Sequence, residues 1–181
     1  TKFKCVGEVD FWRHEGSTFQ KNYLRHSWLS SYISKTTVTR ELSHVAWIDP
    51  DCLIRKPIYD LFNGVNPHNI KYWHKHGKKP KHQFQGGVYV LGASRETKEY
   101  CDEIFKELQG TDDWMLPQLL CLKQIKKSGL KRIALPESYN DSIFKYDSKI
   151  WHAKTSRRSD IKYQLEFRKY LKLGKEIIGE R

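Results

Sequence analysis

His44-Val45-Ala46-Trp47-Ile48 is a short apolar run that halts at Asp49-Pro50-Asp51. Such a run reads as a buried strand, and two carboxylates at its carboxyl end are polar groups delivered to a site. Pro50 and Pro57 forbid an ordinary helix through the junction, so the chain has to turn there rather than coil onward. A strand buried on both faces needs covering layers, and the remaining sequence has to supply them.

It does so by alternation. Phe3 to Val9 has the pattern of a strand, and Thr18 to Ile33 carries Phe19, Tyr23, Trp28, Leu29, Tyr32 and Ile33 at helical spacing with Thr18 placed to cap it. Gly86 to Gly92 reads as another strand, entered through two glycines and left by a third. Ser94 to Leu108 reads as a helix with Ser94 as N-cap, Glu96 and Glu99 near its positive end, and Tyr100, Ile104, Phe105 and Leu108 on one face. A further helix is expected over Asp113 to Ile125 with Pro117 in its first turn, then a strand over Arg132 to Leu135, and a basic helix over Ile161 to Ile178. Lys71 to Lys81 holds five lysines with His74 and His76 and no acid, which reads as an exposed, mobile basic loop. The order of elements predicts an α/β sandwich with chemistry at the strand ends.

The chain is 181 residues long, the size of one domain with a sizeable core. A net charge of +12 beside 13% aromatic residues describes a folded basic protein, not a disordered tail. No apolar stretch is long enough to span a membrane, and the Thr1-Lys2-Phe3-Lys4 start does not read as a signal peptide. Cys5, Cys52, Cys101 and Cys121 are widely spaced with no C-x-x-C pair, so free thiols are expected and a reducing compartment fits, while the even count of four leaves bridges open.

Asp49 and Asp51 can converge on a hard divalent cation, Mn²⁺ or Mg²⁺, which takes oxygen ligands and shares its remaining positions with phosphates. The same spacing also arises in plain turns, where Asp bonds its own backbone. The wider context, Trp47-Ile48-Asp49-Pro50-Asp51 followed by Pro57-Ile58-Tyr59-Asp60-Leu61, resembles the strand and Asp-x-Asp signature of metal-dependent glycosyltransferases with the GT-A fold. Further segments follow in the order of glycosyltransferase family eight. Phe84-Gln85-Gly86-Gly87-Val88-Tyr89-Val90 is similar to a family strand that has Asn where Gln85 stands. Asp112-Asp113-Trp114-Met115-Leu116 resembles a segment in which the family has Gln at Asp113. Leu135-Pro136-Glu137-Ser138-Tyr139-Asn140 and Trp151-His152-Ala153-Lys154 complete the set.

The resemblance implies a GT-A-like mixed sheet flanked by helices over residues 1–156, with residues 157–181 as a basic helix packed on it or at a membrane surface. A GT-A domain commonly has more chain before its Asp-x-Asp than the 48 residues here, so a reduced or missing nucleotide-binding start is expected. It implies His152 as a third metal ligand beside Asp49 and Asp51, and Lys154 with Asp49, Gly86 and Gly87 at the donor. Asp112, Asp113 and Gln85 would stand at the reacting carbon. Lys154 or Arg157 would add positive charge at the leaving diphosphate. The expected reaction moves a sugar from a nucleotide donor, a UDP-sugar first, to a hydroxyl of a glycan, lipid, protein or modified nucleic acid. Retention of configuration follows the family; Asp113 acting as a base would allow inversion.

The charge supports a second reading, a non-catalytic nucleic-acid-binding module. Lys145 to Arg181 holds eleven basic against five acidic residues, and Tyr72 and Trp73 lie among lysines. No recognised nucleic-acid motif accompanies them. His74, His76 and His82 fit no closed zinc site. Tyr163, Phe167, Tyr170 and Leu171 share one face of the final helix, which suits packing on the domain or lying on an anionic membrane surface. The expected location is cytoplasmic or peripheral at a membrane, with the lumen left open.

Overall fold

The computed structural model describes residues 25–27, 29–34, 43–49, 51–109 and 116–178. The strand expected over Phe3 to Val9, the cap at Thr18 and the pair Asp112 and Asp113 lie outside the described residues. Residues 25–27 and 29–34 are helical (α1). The strands are β1 (His44–Ile48), β2 (Cys52–Ile54), β3 (Asn69–His74), β4 (Phe84–Gly92), β5 (Lys131–Ala134) and β6 (Ile150–His152). The remaining helices are α2 (Arg95–Leu108), α3 (Leu116–Ser128) and α4 (Ile161–Ile178).

The main sheet has the order β1-β4-β3-β5. β4 runs antiparallel to both neighbours, and β3 runs parallel to β5, so the sheet is mixed. β4 is its centre, and period-two alternation along it divides the molecule into two faces. Tyr89 and Leu91 point toward Leu29 and Ile33 of α1, Tyr100, Ile104 and Leu108 of α2, and Leu120 and Ile125 of α3. Val88 and Val90 point the other way, onto Leu61, Val65, Leu135, Tyr139 and Ile150. Removing such side chains from water holds the layers together at roughly 1.5–3 kcal/mol for each large apolar residue.

Local signals place the flanking helices. Ser94 caps α2: its hydroxyl accepts from the Thr97 N–H at 3.2 Å, and its own N–H donates to the Thr97 hydroxyl at 3.1 Å. This reciprocal box satisfies two donors that the first turn would otherwise strand. Pro117 lies in the first turn of α3, where no N–H is required. Gly129 follows α3 at φ +70°, the left-handed position that ends a helix without Cβ strain. α4 spans the expected residues, with the Asp160 carboxylate accepting from the Lys162 N–H at 2.9 Å.

The basic stretch from Lys71 is not a loop along its whole length. Its first four residues belong to β3, an inner strand, and Lys71 is 7% exposed. The Lys71 ammonium donates to the carbonyls of Asp60 and Asn63 at 3.3 and 3.0 Å, so its stem crosses the apolar face while its head is satisfied by backbone. Only the following residues, His76 to Lys79, form an exposed turn.

A second, two-stranded antiparallel sheet pairs β2 with β6. It is covered by α4 through a cluster of Leu53, Phe144, Trp151, Ala153 and Tyr163. Tyr163 and Tyr170 also donate hydroxyl hydrogen bonds to the carbonyls of Asp51 and Arg55, at 3.2 and 3.1 Å. No helix among the described residues is long and apolar enough to cross a membrane.

Candidate metal centre

β1 does not simply end at Ile48. The Asp49 N–H still donates to the Gly87 carbonyl at 2.8 Å, and the Cys52 N–H then donates back to the Asp49 carbonyl at 2.9 Å. That hydrogen bond closes the link from β1 to β2, with Asp49 at its start and Asp51 immediately before β2. β6 returns from almost a hundred residues downstream and pairs with β2 in a register that sets Cys52 opposite His152.

These pairings bring three groups together. His152 Nε2 lies 3.3 Å from Asp51 Oδ1 and 3.7 Å from Asp49 Oδ2. Each carboxylate is oriented through its other oxygen. Asp49 Oδ1 accepts from the Arg25 guanidinium at 2.8 Å and from the Trp47 indole N–H at 2.7 Å. Asp51 Oδ2 accepts from Arg158 at 2.7 Å. Arg25 is itself nearly enclosed and sits 4.8 Å over the Trp47 ring.

The His152 ring orientation follows from its neighbour. Asn140 is fully buried, and its amide nitrogen donates to the Gln85 carbonyl at 3.1 Å. Its oxygen is therefore the atom that faces His152 Nδ1, at 2.7 Å, and has to accept a hydrogen from it. With Nδ1 protonated, the lone pair of a neutral His152 is on Nε2 and points at two carboxylate oxygens. Lone pair and carboxylates repel one another unless a positive charge, a proton or a cation, sits among them. A neutral His whose second nitrogen is held by a hydrogen bond is the usual arrangement of a ligating imidazole. The residues present thus fit a divalent cation.

Gly87 makes room for that ring. A Cβ built there would lie 2.1 Å from both Cε1 and Nδ1 of His152. Gly86 does different work: a Cβ there would lie 3.1 Å from Arg25 Nη1, which donates to the Gly86 carbonyl at 3.2 Å. The two glycines therefore seat His152 and Arg25, which is a local reason for small residues apart from donor approach.

Beside this cluster, the Gln85 side-chain oxygen accepts from Lys154, and its amide donates to the His82 carbonyl at 2.6 Å. Burial, followed by repulsion from Lys75, brings the Lys154 ammonium down to about 8. Its Nζ lies 5.9 Å from the centre of the Trp73 ring, and Lys75 lies 5.7 Å from the same ring. Arg157 is exposed, and in this segment its neighbour Arg158 is the arginine that reaches Asp51.

Reading the sequence did not single out Cys52, Arg25, Arg158 or a role for Asn140. Cys52 was legible only as the residue after the acidic pair. Its thiol donates to the Gly87 carbonyl at 3.7 Å, and burial together with the Asp49 and Asp51 charges pushes the thiol well above its ordinary range. Asp51, Cys52 and His152 each offer a ligand atom, all within 4.8 Å of one another. Asp112 and Asp113 lie outside the described residues, so their position relative to this cluster is not described.

No protein-family model matches the chain, and no curated protein matches it in sequence. Among solved structures, the chain resembles the crystal structure of a glycosyltransferase involved in the glycosylation of the major capsid of PBCV-1. The TM-score is 0.58 and the identity 12%, over 80% of this chain and 77% of that one. At that identity the likeness concerns the fold: this chain has a glycosyltransferase-like mixed sheet flanked by helices.

Proposed function

We propose that this chain is a metal-dependent glycosyltransferase of GT-A type that moves a sugar from a nucleotide diphosphate, a UDP-sugar first, to an acceptor hydroxyl. The observation that carries the proposal is the convergence of Asp49, Asp51 and the Asn140-oriented His152 at the carboxyl end of a buried strand. It occurs within a fold shared with a glycosyltransferase. Acidic oxygens and one imidazole suit Mn²⁺, with Mg²⁺ as the oxygen-preferring alternative.

A divalent cation at this position supplies positive charge toward the departing diphosphate. The chain's own residues do the remaining work. Arg25 and Trp47 hold Asp49 in one orientation, and Arg158 holds Asp51, so the acidic groups pay little reordering cost when the donor arrives. Lys154, half-buried and beside Gln85, places a second positive group near the same cluster for the leaving phosphate oxygens. Gln85 is fixed at both ends of its amide, and in this reading it lines the donor sugar and is not a base. Asp112 and Asp113 are assigned to the sugar and acceptor on the sequence resemblance alone.

The test is a thermal-shift series with nucleotide-sugars, run with Mn²⁺ and with a chelator, followed by assays of sugar transfer or donor hydrolysis. Stabilisation by one donor that needs Mn²⁺ is expected, together with loss of turnover in Asp51→Ala and His152→Ala. Undiminished activity of either variant in excess chelator would remove the metal site from the mechanism.

A further inference from the structure

The register of the small sheet adds a ligand type that Asp-x-Asp does not contain. The Ala153 N–H donates to the Asp51 carbonyl at 3.1 Å, and Cys52 and His152 are the next pair along the ladder. They therefore form a non-hydrogen-bonded antiparallel pair, the kind in which facing side chains lie closest. Sγ of Cys52, a carboxylate oxygen of Asp51 and an imidazole nitrogen of His152 lie mutually within 4.8 Å. His152 is 5% exposed, and Asn140 holds its Nδ1.

We infer that Cys52 is a metal ligand of this centre, making it a mixed oxygen, nitrogen and sulfur site that prefers a thiophilic or borderline cation such as Zn²⁺ or Co²⁺ to Mg²⁺. The inference rests on the metal-dependent reading above, puts Cys52 in the place of Asp49 in the ligand set, and narrows which cation the site takes. Thiolate is a soft ligand that selects zinc-like ions, whereas an oxygen set suits magnesium. Three protein ligands with a fourth position left for substrate or water is the arrangement of a reactive zinc-type site, distinct from a closed structural one. On binding, the Cys52 S–H loses its proton to solvent and the sulfur shares its electron pair with the cation. Two anionic ligands, Asp51 and the thiolate, then balance a dication. Asp49, engaged by Arg25 and Trp47, stands behind as a carboxylate that faces His152. The thiol's hydrogen bond to the Gly87 carbonyl, long even for sulfur, is given up in exchange.

Titration of the full chain with Co²⁺, followed by absorption, tests this. A near-ultraviolet sulfur-to-cobalt charge-transfer band is expected, saturating at one ion per chain, cleared by Zn²⁺ and not by equimolar Mg²⁺. Cys52→Ser should abolish the band and weaken Co²⁺ binding by roughly tenfold or more, since loss of even an outer-sphere partner costs that much. Cys52→Ala serves as a second variant, and near-ultraviolet circular dichroism checks that each variant is folded. Visible cobalt bands without charge transfer, a charge-transfer band that survives in Cys52→Ser, or Mn²⁺ binding by magnetic resonance without Co²⁺ binding would each overturn the role of Cys52 and leave the metal centre standing. Absence of binding by Co²⁺, Zn²⁺ and Mn²⁺ alike would overturn both.

Discussion

The imidazole of His152 occupies the space that a side chain on Gly87 would take: a Cβ there would lie 2.1 Å from two ring atoms. β4 and β6 are thereby fitted to each other at the candidate centre, and an absent side chain on one strand determines where the other strand's ring can sit. The Gly87 carbonyl also accepts from the Asp49 N–H, so one residue of β4 touches both sides of the cluster.

Gly87→Ala should therefore act on the centre before it acts on the fold. The ring has to move, and its line to Asp51 at 3.3 Å is lost with it. Mn²⁺ affinity measured by calorimetry or magnetic resonance should fall about as far as in His152→Ala, while far-ultraviolet circular dichroism stays that of the parent. Unchanged affinity in Gly87→Ala would mean that the ring position does not matter to the cation.

Asn140 offers a complementary test, because it holds the His152 ring without facing the acidic pair's oxygens itself. Asn140→Leu removes the acceptor for the imidazole N–H and the donor to the Gln85 carbonyl, leaving buried polar groups without their partners. A loss of about 1–3 kcal/mol in urea unfolding is expected, with a metal affinity reduced by roughly 10–100-fold. If stability falls and affinity does not, Asn140 is a packing residue with no part in positioning the ring.

The pair of Asp60 and Lys149 gives a dependence on pH away from the centre. Hydrogen bonds first from Lys149 and then from Tyr139 lower the Asp60 carboxyl to about 2. The unfolded carboxyl titrates near ~3.9. A folded value below the unfolded one makes the carboxylate's contribution complete above the unfolded value and lost as pH falls through the folded one. Denaturant midpoints of the parent and of Asp60→Asn should differ at neutral pH, converge as pH drops from about 4 toward 2, and differ little below that. A gap that stays constant across this range would show that the pair contributes nothing through its charge. Since both partners are at the surface, added salt should narrow the gap as well.

The elements read most directly from the sequence are those whose cause is local. The apolar run into Asp49, the cap at Ser94, the first-turn position of Pro117 and the span of α4 each depend on residues three or four apart, or on alternation within one strand. β3 was hidden because its lysine has a charged head. Burial of Lys71 requires carbonyls of Asp60 and Asn63 to stand at the end of its stem, and nothing in the order of residues states that they do.

The candidate centre divides in the same way. Asp49 and Asp51 are visible as a pair because a single turn carries both. The setting of His152 against Asp51 depends on β6 pairing with β2 across about a hundred residues, and a shift of one residue in that register would turn His152 to the other face and bring Trp151 in its place. Cys52 as a third ligand atom, Asn140 as the group that orients the imidazole, and Arg25 and Arg158 as clamps on the two carboxylates follow from that same register and from the packing of α1 and of the segment before α4. The sequence by itself determined that a buried strand would end in two acids within an alternating α/β chain. Which imidazole, thiol and guanidinium groups meet those acids was decided by tertiary structure, because side-chain proximity across a sheet is set by register and closure, neither of which has a local period.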